Sequence, residues 1–104
     1  LGLNSTSQTI TGDGSTSSSI DVTSAVTEVD ATSAQAPCTL ADGANGQIKV
    51  IINVSTGGSN NVVITPSNLR GGTTITLNAP GETVTCIFKN SNWNVIGGFG
   101  FAVA

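Results

Sequence analysis

The sequence predicts an all-β protein, either an antiparallel β-sandwich or a β-barrel-like roll, of about eight to ten short strands. Apolar and polar residues alternate with a period of two, and turn-forming residues recur roughly every 8 to 12 positions. No segment has the apolar spacing of an amphipathic helix over three turns. The length of 104 residues favours one domain that spans 1–104.

The N-terminal part, 1–36, is rich in Ser and Thr and is predicted to form strands or an arm ahead of a core β module, 37–104. Its segments SQTIT, SSIDV and AVTEV alternate and contain β-branched residues, which favours strands. A flexible Ser/Thr linker is the alternative interpretation.

The core module contains the clearest alternation, in the segment GQIKVIINV. A period of two there predicts a buried face of Ile48, Val50, Ile52 and Val54, with Lys49 and Asn53 turned to solvent. The segments TTITL, TVTCIFK, WNVI and FGFAV are predicted strands as well, separated by turns rich in Gly, Pro and Asn.

Charged residues make up only 9% of the chain, against a usual share of about 25%. Residues 1–48 carry five acidic side chains and no basic one, whereas 49–104 carry three basic and one acidic. The absence of a basic patch argues against nucleic-acid binding. No run of apolar residues is long enough for membrane insertion.

Few residues could perform chemistry, because the chain has no His and no Tyr, which excludes a Ser–His–Asp triad. Glu28 and Asp30 share one strand face and form either an acid/base pair or an acidic sheet edge that discourages edge pairing. Asp42 and Asn45 form part of a calcium-like loop, for which a tight turn is the preferred interpretation. We therefore predict no catalytic residue, no cofactor and no metal site.

Three further side chains leave alternatives open. Trp93 is either a platform for glycan stacking or a core residue that closes a hairpin. Cys38 and Cys86 are predicted to point into the core, where they form one disulfide or remain two free thiols.

The run from Thr39 to Gly98 resembles a module of structural proteins in tailed bacteriophages, especially marine and cyanobacterial ones. The matching segments are LADGANGQIK, VITPSNLRGGTTITL, GETVT and NSNWNVIGG. The resemblance implies a non-enzymatic β-structured component of the virion surface, foremost a capsid decoration (cement) protein that stabilises the phage head. The alternative is a tail-fibre, spike or head-fibre domain that recognises host surface glycans.

The resemblance also implies partners: further copies of the chain, as a homotrimer, and the major capsid protein or other virion proteins. Two sets of residues are the predicted interface. One is a weakly polar surface of threonines, and the other is the apolar C-terminal end; the residues are Thr74, Thr76, Thr83, Thr85, Phe99 and Phe101.

Overall fold

Two five-stranded sheets pack face to face, in a computed structural model that describes residues 7–57 and 60–104. The first six residues of the predicted arm lie outside the described residues. The strands are β1 (Ser7–Gly12), β2 (Ser18–Ile20), β3 (Val26–Ala31), β4 (Gln35–Leu40), β5 (Ile48–Asn53), β6 (Asn61–Pro66), β7 (Ile75–Leu77), β8 (Thr83–Lys89), β9 (Asn92–Phe99) and β10 (Ala102–Val103).

The first sheet has the strand order β1-β3-β5-β8-β9, and the second has the order β10-β7-β6-β4-β2. The predicted sandwich and the predicted number of strands are confirmed. A closed barrel is not formed. The Ser/Thr-rich segment contributes β1, β2 and β3 to the sandwich, so its described part, 7–36, is strand-forming and not a linker.

The sheets are mixed, and the prediction of a purely antiparallel sandwich is wrong on this point. Strands β1 to β6 alternate between the two sheets, so that β1, β3 and β5 are parallel in one sheet and β2, β4 and β6 are parallel in the other. The remaining strands add antiparallel pairings. The chain therefore begins as stacked coils and ends as hairpins.

The hairpin between β8 and β9 has the two-residue turn that its sequence requires. Asn90 and Ser91 both have a positive φ, at 54° and 64°, while Lys89 pairs with Asn92. Positive φ at both central positions is the type I′ geometry, whose twist matches that of the flanking strands.

The core lies between the sheets and consists mainly of aliphatic side chains from alternate positions of both. Phe88 and Trp93 meet edge to face, with ring centroids 5.2 Å apart. At the C-terminus, the backbone N–H of Thr73 and the N–H of Thr74 donate to the carbonyl of Ala104, so the chain end is part of the second sheet. No helix that could span a membrane occurs in the described ranges.

Candidate interaction surface

Strand β5 has the opposite orientation to the one its hydropathy predicts. Lys49, Ile51 and Asn53 are fully buried between the sheets, whereas Ile48 and Ile52 lie half-buried on the outer face. The predicted inner face of Ile48, Val50 and Ile52 is therefore wrong. The cause is a set of buried partners for the two polar side chains.

Lys49 is held inside by the segment between β2 and β3. Its Nζ donates to the backbone carbonyl of Ser24 at 2.7 Å and lies 3.7 Å from Oδ1 of Asp21. The backbone N–H of Ser24 donates to Asp21, which together with the neighbouring Lys49 charge lowers the pKa of Asp21. Burial lowers the pKa of Lys49, and the carboxylate of Asp21 opposes that shift.

Asn53 joins the two sheets through its side-chain amide. Nδ2 donates to the carbonyls of Asn60, at 3.0 Å, and Leu77, at 2.9 Å. Oδ1 accepts from the N–H and the hydroxyl of Ser55, and that hydroxyl in turn accepts from the N–H of Ala31. All donors and acceptors of the amide are used, so its burial carries no unsatisfied polar group.

Because β5 turns its polar residues inward, the centre of the first sheet's outer side is apolar. Strand pairing places Val26 beside Val50 and Ile48 beside Ile87, while Ile52 lies between Glu28 and Thr83. We name this surface the aliphatic face and define it by Val26, Ile48, Val50, Ile52 and Ile87. All five are half-buried and no strand of the described chain packs over them.

Two larger apolar side chains lie on β9, the edge strand beside the aliphatic face. Ile96 is 56% exposed and Phe99 is 70% exposed. The pairing between β8 and β9 shifts between Thr85 and Cys86, which makes Ile96 the extra residue of a β-bulge. Exposed apolar groups next to an apolar sheet face extend the surface that a partner could bury.

Charges occupy two opposite corners of the first sheet's outer face. Glu28 and Asp30 point outward from β3 and form the acidic corner. Lys89 ends β8 at the other end of the face, and the Arg70 guanidinium reaches the same end because its Nε donates to Asn94, opposite Ile87. Lys89 and Arg70 form the basic corner.

The acidic pair does not mark a sheet edge, so that alternative is wrong. Strand β3 lies between β1 and β5, with both neighbours paired to it. The two carboxylates therefore lie on a strand that is paired on both sides.

The predicted interface residues separate into different surfaces. Thr83 and Thr85 lie on the outer side of the first sheet, beside Ile52 and Val50. Thr76 lies on β7 and is paired with Val63 in the second sheet. Thr74 is the residue directly before β7. The predicted single surface of four threonines is therefore wrong, because the strands that carry them belong to opposite sheets.

The two predicted C-terminal interface residues also differ from each other. Phe99 is exposed, whereas Phe101 is half-buried and packs against the core. The Phe101 ring lies under Gly98, where an added Cβ would come within 2.9 Å of it. Phe101 therefore contributes to the packing of the core, and Phe99 is the more exposed of the two.

Trp93 is a core residue, and the glycan-stacking alternative for it is wrong. Its side chain is 0% exposed and its Nε1–H donates to the carbonyl of Ala41 at 2.9 Å. Gly43 leaves room for the indole, since a Cβ there would lie 3.0 Å from the ring. A ring enclosed on both sides cannot stack on a sugar.

Cys38 and Cys86 are free, buried thiols, so the disulfide is not formed. They belong to different sheets, to β4 and β8. Burial raises the pKa of each thiol to about 11, which keeps both protonated and unreactive at neutral pH.

The loop of Asp42 and Asn45 is a turn, with Gly46 at a φ of 84° and both oxygens of Asp42 accepting from the amide of Asn68. Within residues 7–57 and 60–104, no three potential ligand side chains are grouped in a way that could hold a metal ion. The same ranges enclose no pocket.

No protein-family model matches this chain, and no curated protein matches it significantly.

Proposed function

We propose that this chain is a non-enzymatic structural component of a tailed-phage particle, foremost a capsid decoration protein on the particle surface. The observation that carries the proposal is the aliphatic face: five adjacent aliphatic side chains on the outside of a sheet that no strand of the described chain covers. A surface of that kind is typical of proteins that work by contact with other proteins. The resemblance to phage structural modules is the reason for proposing a phage particle as the partner.

Decoration suits a small two-sheet domain for an energetic reason. Many copies, each making modest contacts, can stabilise a shell because neighbouring capsid proteins bind one copy at several points. The outer side of the second sheet offers Gln35, Thr39, Val63 and Thr65, a weakly polar surface that can be desolvated at little cost.

The test is co-sedimentation of the purified chain with phage heads that lack decoration. We expect saturable binding at a fixed ratio to the major capsid protein, and a higher temperature for head disruption. Binding that does not saturate, or heads that open at the same temperature with and without the chain, would contradict the proposal.

A fibre or spike domain is the second candidate, and the stacked coils of β1 to β6 favour it. Parallel coils of this kind add one on another along an axis, which is how elongated repeat proteins are built. Strands β1 and β2 are the open edges of the first coil. Trp93, the strongest candidate for glycan stacking, is buried and cannot contact a sugar. Binding of the chain to host cells, without binding to heads, would favour a fibre.

A further inference from the structure

We propose that the aliphatic face is a self-association surface, and that it pairs with the same face of a second copy around a two-fold axis. This inference concerns the purified chain and does not depend on the phage proposal. It rests on two features of the first sheet: the area of its uncovered outer side and the placement of the charges on that side.

The outer side of the whole first sheet, of which the aliphatic face covers three strands, is large enough for a specific contact. Five strands at a spacing of roughly 4.8 Å, each of about six residues at about 3.3 Å, give this outer side an area of roughly 24 Å by 20 Å. Two such faces in contact bury on the order of 1,000 Å², which is the lower limit of specific interfaces. The exposed side chains of Ile96 and Phe99 extend this area at the β9 side. We therefore expect a dimer that forms at micromolar concentrations.

The charges identify the partner as a second copy. The acidic corner, Glu28 and Asp30, and the basic corner, Arg70 and Lys89, lie at opposite ends of the face, roughly 20 Å apart along the strands. That separation exceeds the Debye length of about 8 Å, so the corners do not neutralise each other within one copy. A two-fold axis in the plane of the face, passing between the corners, places each acidic corner on the partner's basic corner.

The arrangement differs from the trimer that the phage resemblance implies. A two-fold contact buries the same patch on both copies, whereas a ring of three joins different patches. Sedimentation equilibrium of the whole chain, from about 1 to 100 μM, therefore distinguishes the two. A concentration-dependent dimer supports the proposal; a monomer throughout this range, or a trimer, overturns it.

Two substitutions on opposite sheets test which face is used. Val50→Lys places a charge at the centre of the aliphatic face, and we expect at least a 100-fold weaker dimer. Thr65→Lys adds the same charge to the outer side of the second sheet and should leave the dimer unchanged. A Val50→Lys protein that still forms the dimer, with an unchanged melting curve, overturns the proposal.

A pair of exposed charge reversals tests the two-fold arrangement without touching the apolar contacts. Glu28→Lys leaves its acidic corner with no net charge, and Lys89→Glu does the same to its basic corner. We expect each variant alone to dimerise about tenfold more weakly than the wild type, because both contacts between oppositely charged corners are lost. Their equimolar mixture should form a heterodimer that is tighter than either homodimer, because one such contact is restored. A mixture that associates no better than either variant alone contradicts the opposed corners, even if Val50→Lys fails to fold.

Discussion

The two sheets distribute polarity in opposite ways. The second sheet turns only apolar side chains to the core, among them Leu40, Ile64 and Leu77, and its outer side is polar. The first sheet buries Thr27, Lys49 and Asn53 between its apolar residues, and its outer side carries the aliphatic face. The sheets share one core, and they differ in which side chains they turn toward it and which they turn outward.

The comparison teaches that the side a strand buries depends on available partners as well as on hydropathy. Asn53 finds acceptors inside, among them Leu77, and loses little by burial. Lys49 finds an acceptor in Ser24 and a neighbouring carboxylate in Asp21, which offset part of the cost of its desolvation. Ile48, Val50 and Ile52 remain outside at a cost of apolar exposure. The burial of Asn53 fixes the orientation of β5 and so turns its apolar residues outward. An assembly that covers the outer side would remove the cost of their exposure.

Alanine substitutions at neighbouring positions of β5 give the largest expected contrast. Ile51→Ala removes a fully buried side chain and should lower the free energy of unfolding by about 3–4 kcal/mol. Ile52→Ala, one position along on the outer face, should cost less than about 1 kcal/mol. Urea unfolding of both variants at a low protein concentration measures the contrast. Equal losses would mean that β5 does not have this orientation.

Removal of the buried amide should have the next largest effect. Asn53→Ala leaves the carbonyls of Asn60 and Leu77 and the hydroxyl of Ser55 without their partner, and we expect a loss of about 3 kcal/mol. Thermal or urea unfolding measures it, with Asn45→Ala, in an exposed loop, as the matched control. A loss no greater than that of the control would mean that the amide does not join the sheets.

Alkaline pH should destabilise both sheets through their thiols. The folded-state pKa of Cys38 and of Cys86, about 11, lies above the ordinary value of 9.0, so the unfolded chain releases these protons first. The contribution of each protonated thiol to the free energy of unfolding is complete below pH 9. It decreases by about 2–3 kcal/mol for each thiol as the pH rises to 11. Burial gives Lys49 a lowered pKa, which opposes this trend.

Comparison with Cys86→Ala isolates the thiol of the first sheet. We expect urea unfolding between pH 8 and pH 11 to show a smaller alkaline loss in the variant, by the contribution of one thiol. The loss of unfolding free energy that comes from the smaller alanine side chain should be the same at every pH. Parallel stability curves for the two proteins would show that Cys86 is not buried as a thiol.

A glycine in the β8–β9 turn should have the smallest effect, and only on the first sheet. Ser91 has a φ of 64°, which costs a residue with a Cβ about 1 kcal/mol. Ser91→Gly should therefore raise the free energy of unfolding by about 0.5–1 kcal/mol. Thermal unfolding measures it. Ser67→Gly, at an exposed position without a positive φ, is the control and should not stabilise. A destabilised Ser91→Gly protein would contradict the type I′ geometry.

Much of the fold follows from local patterns. The strands of the Ser/Thr-rich segment are visible in spaced Ile and Val, and β8 has its predicted inner face of Val84, Cys86 and Phe88. Local pattern sufficed in these strands because one side is plainly more apolar than the other. It failed in β5, where hydropathy places Lys49 and Asn53 on the outer side although both are buried with hydrogen-bond partners.

The candidate surface was less accessible to sequence analysis than the fold. The aliphatic face joins residues from β3, β5 and β8, and its basic corner includes Arg70 from a distant loop. The separation of Thr83 and Thr85 from Thr74 and Thr76 likewise depends on which sheet each strand joins. The choice of neighbouring strands depends on residues far apart in the chain. The alternation of apolar and polar residues along one strand carries no information about that choice.

By itself, the sequence determined that the chain is all-β, where most strands begin and end, and which turns contain Gly, Asn or Pro, because these properties follow from steric preferences of neighbouring residues. Only the tertiary structure decided that half of the pairings are parallel, that Lys49 and Asn53 lie inside, and that the aliphatic face lies outside. These outcomes depend on hydrogen-bond partners contributed by residues far away in the chain, such as Ser24 for Lys49 and Leu77 for Asn53.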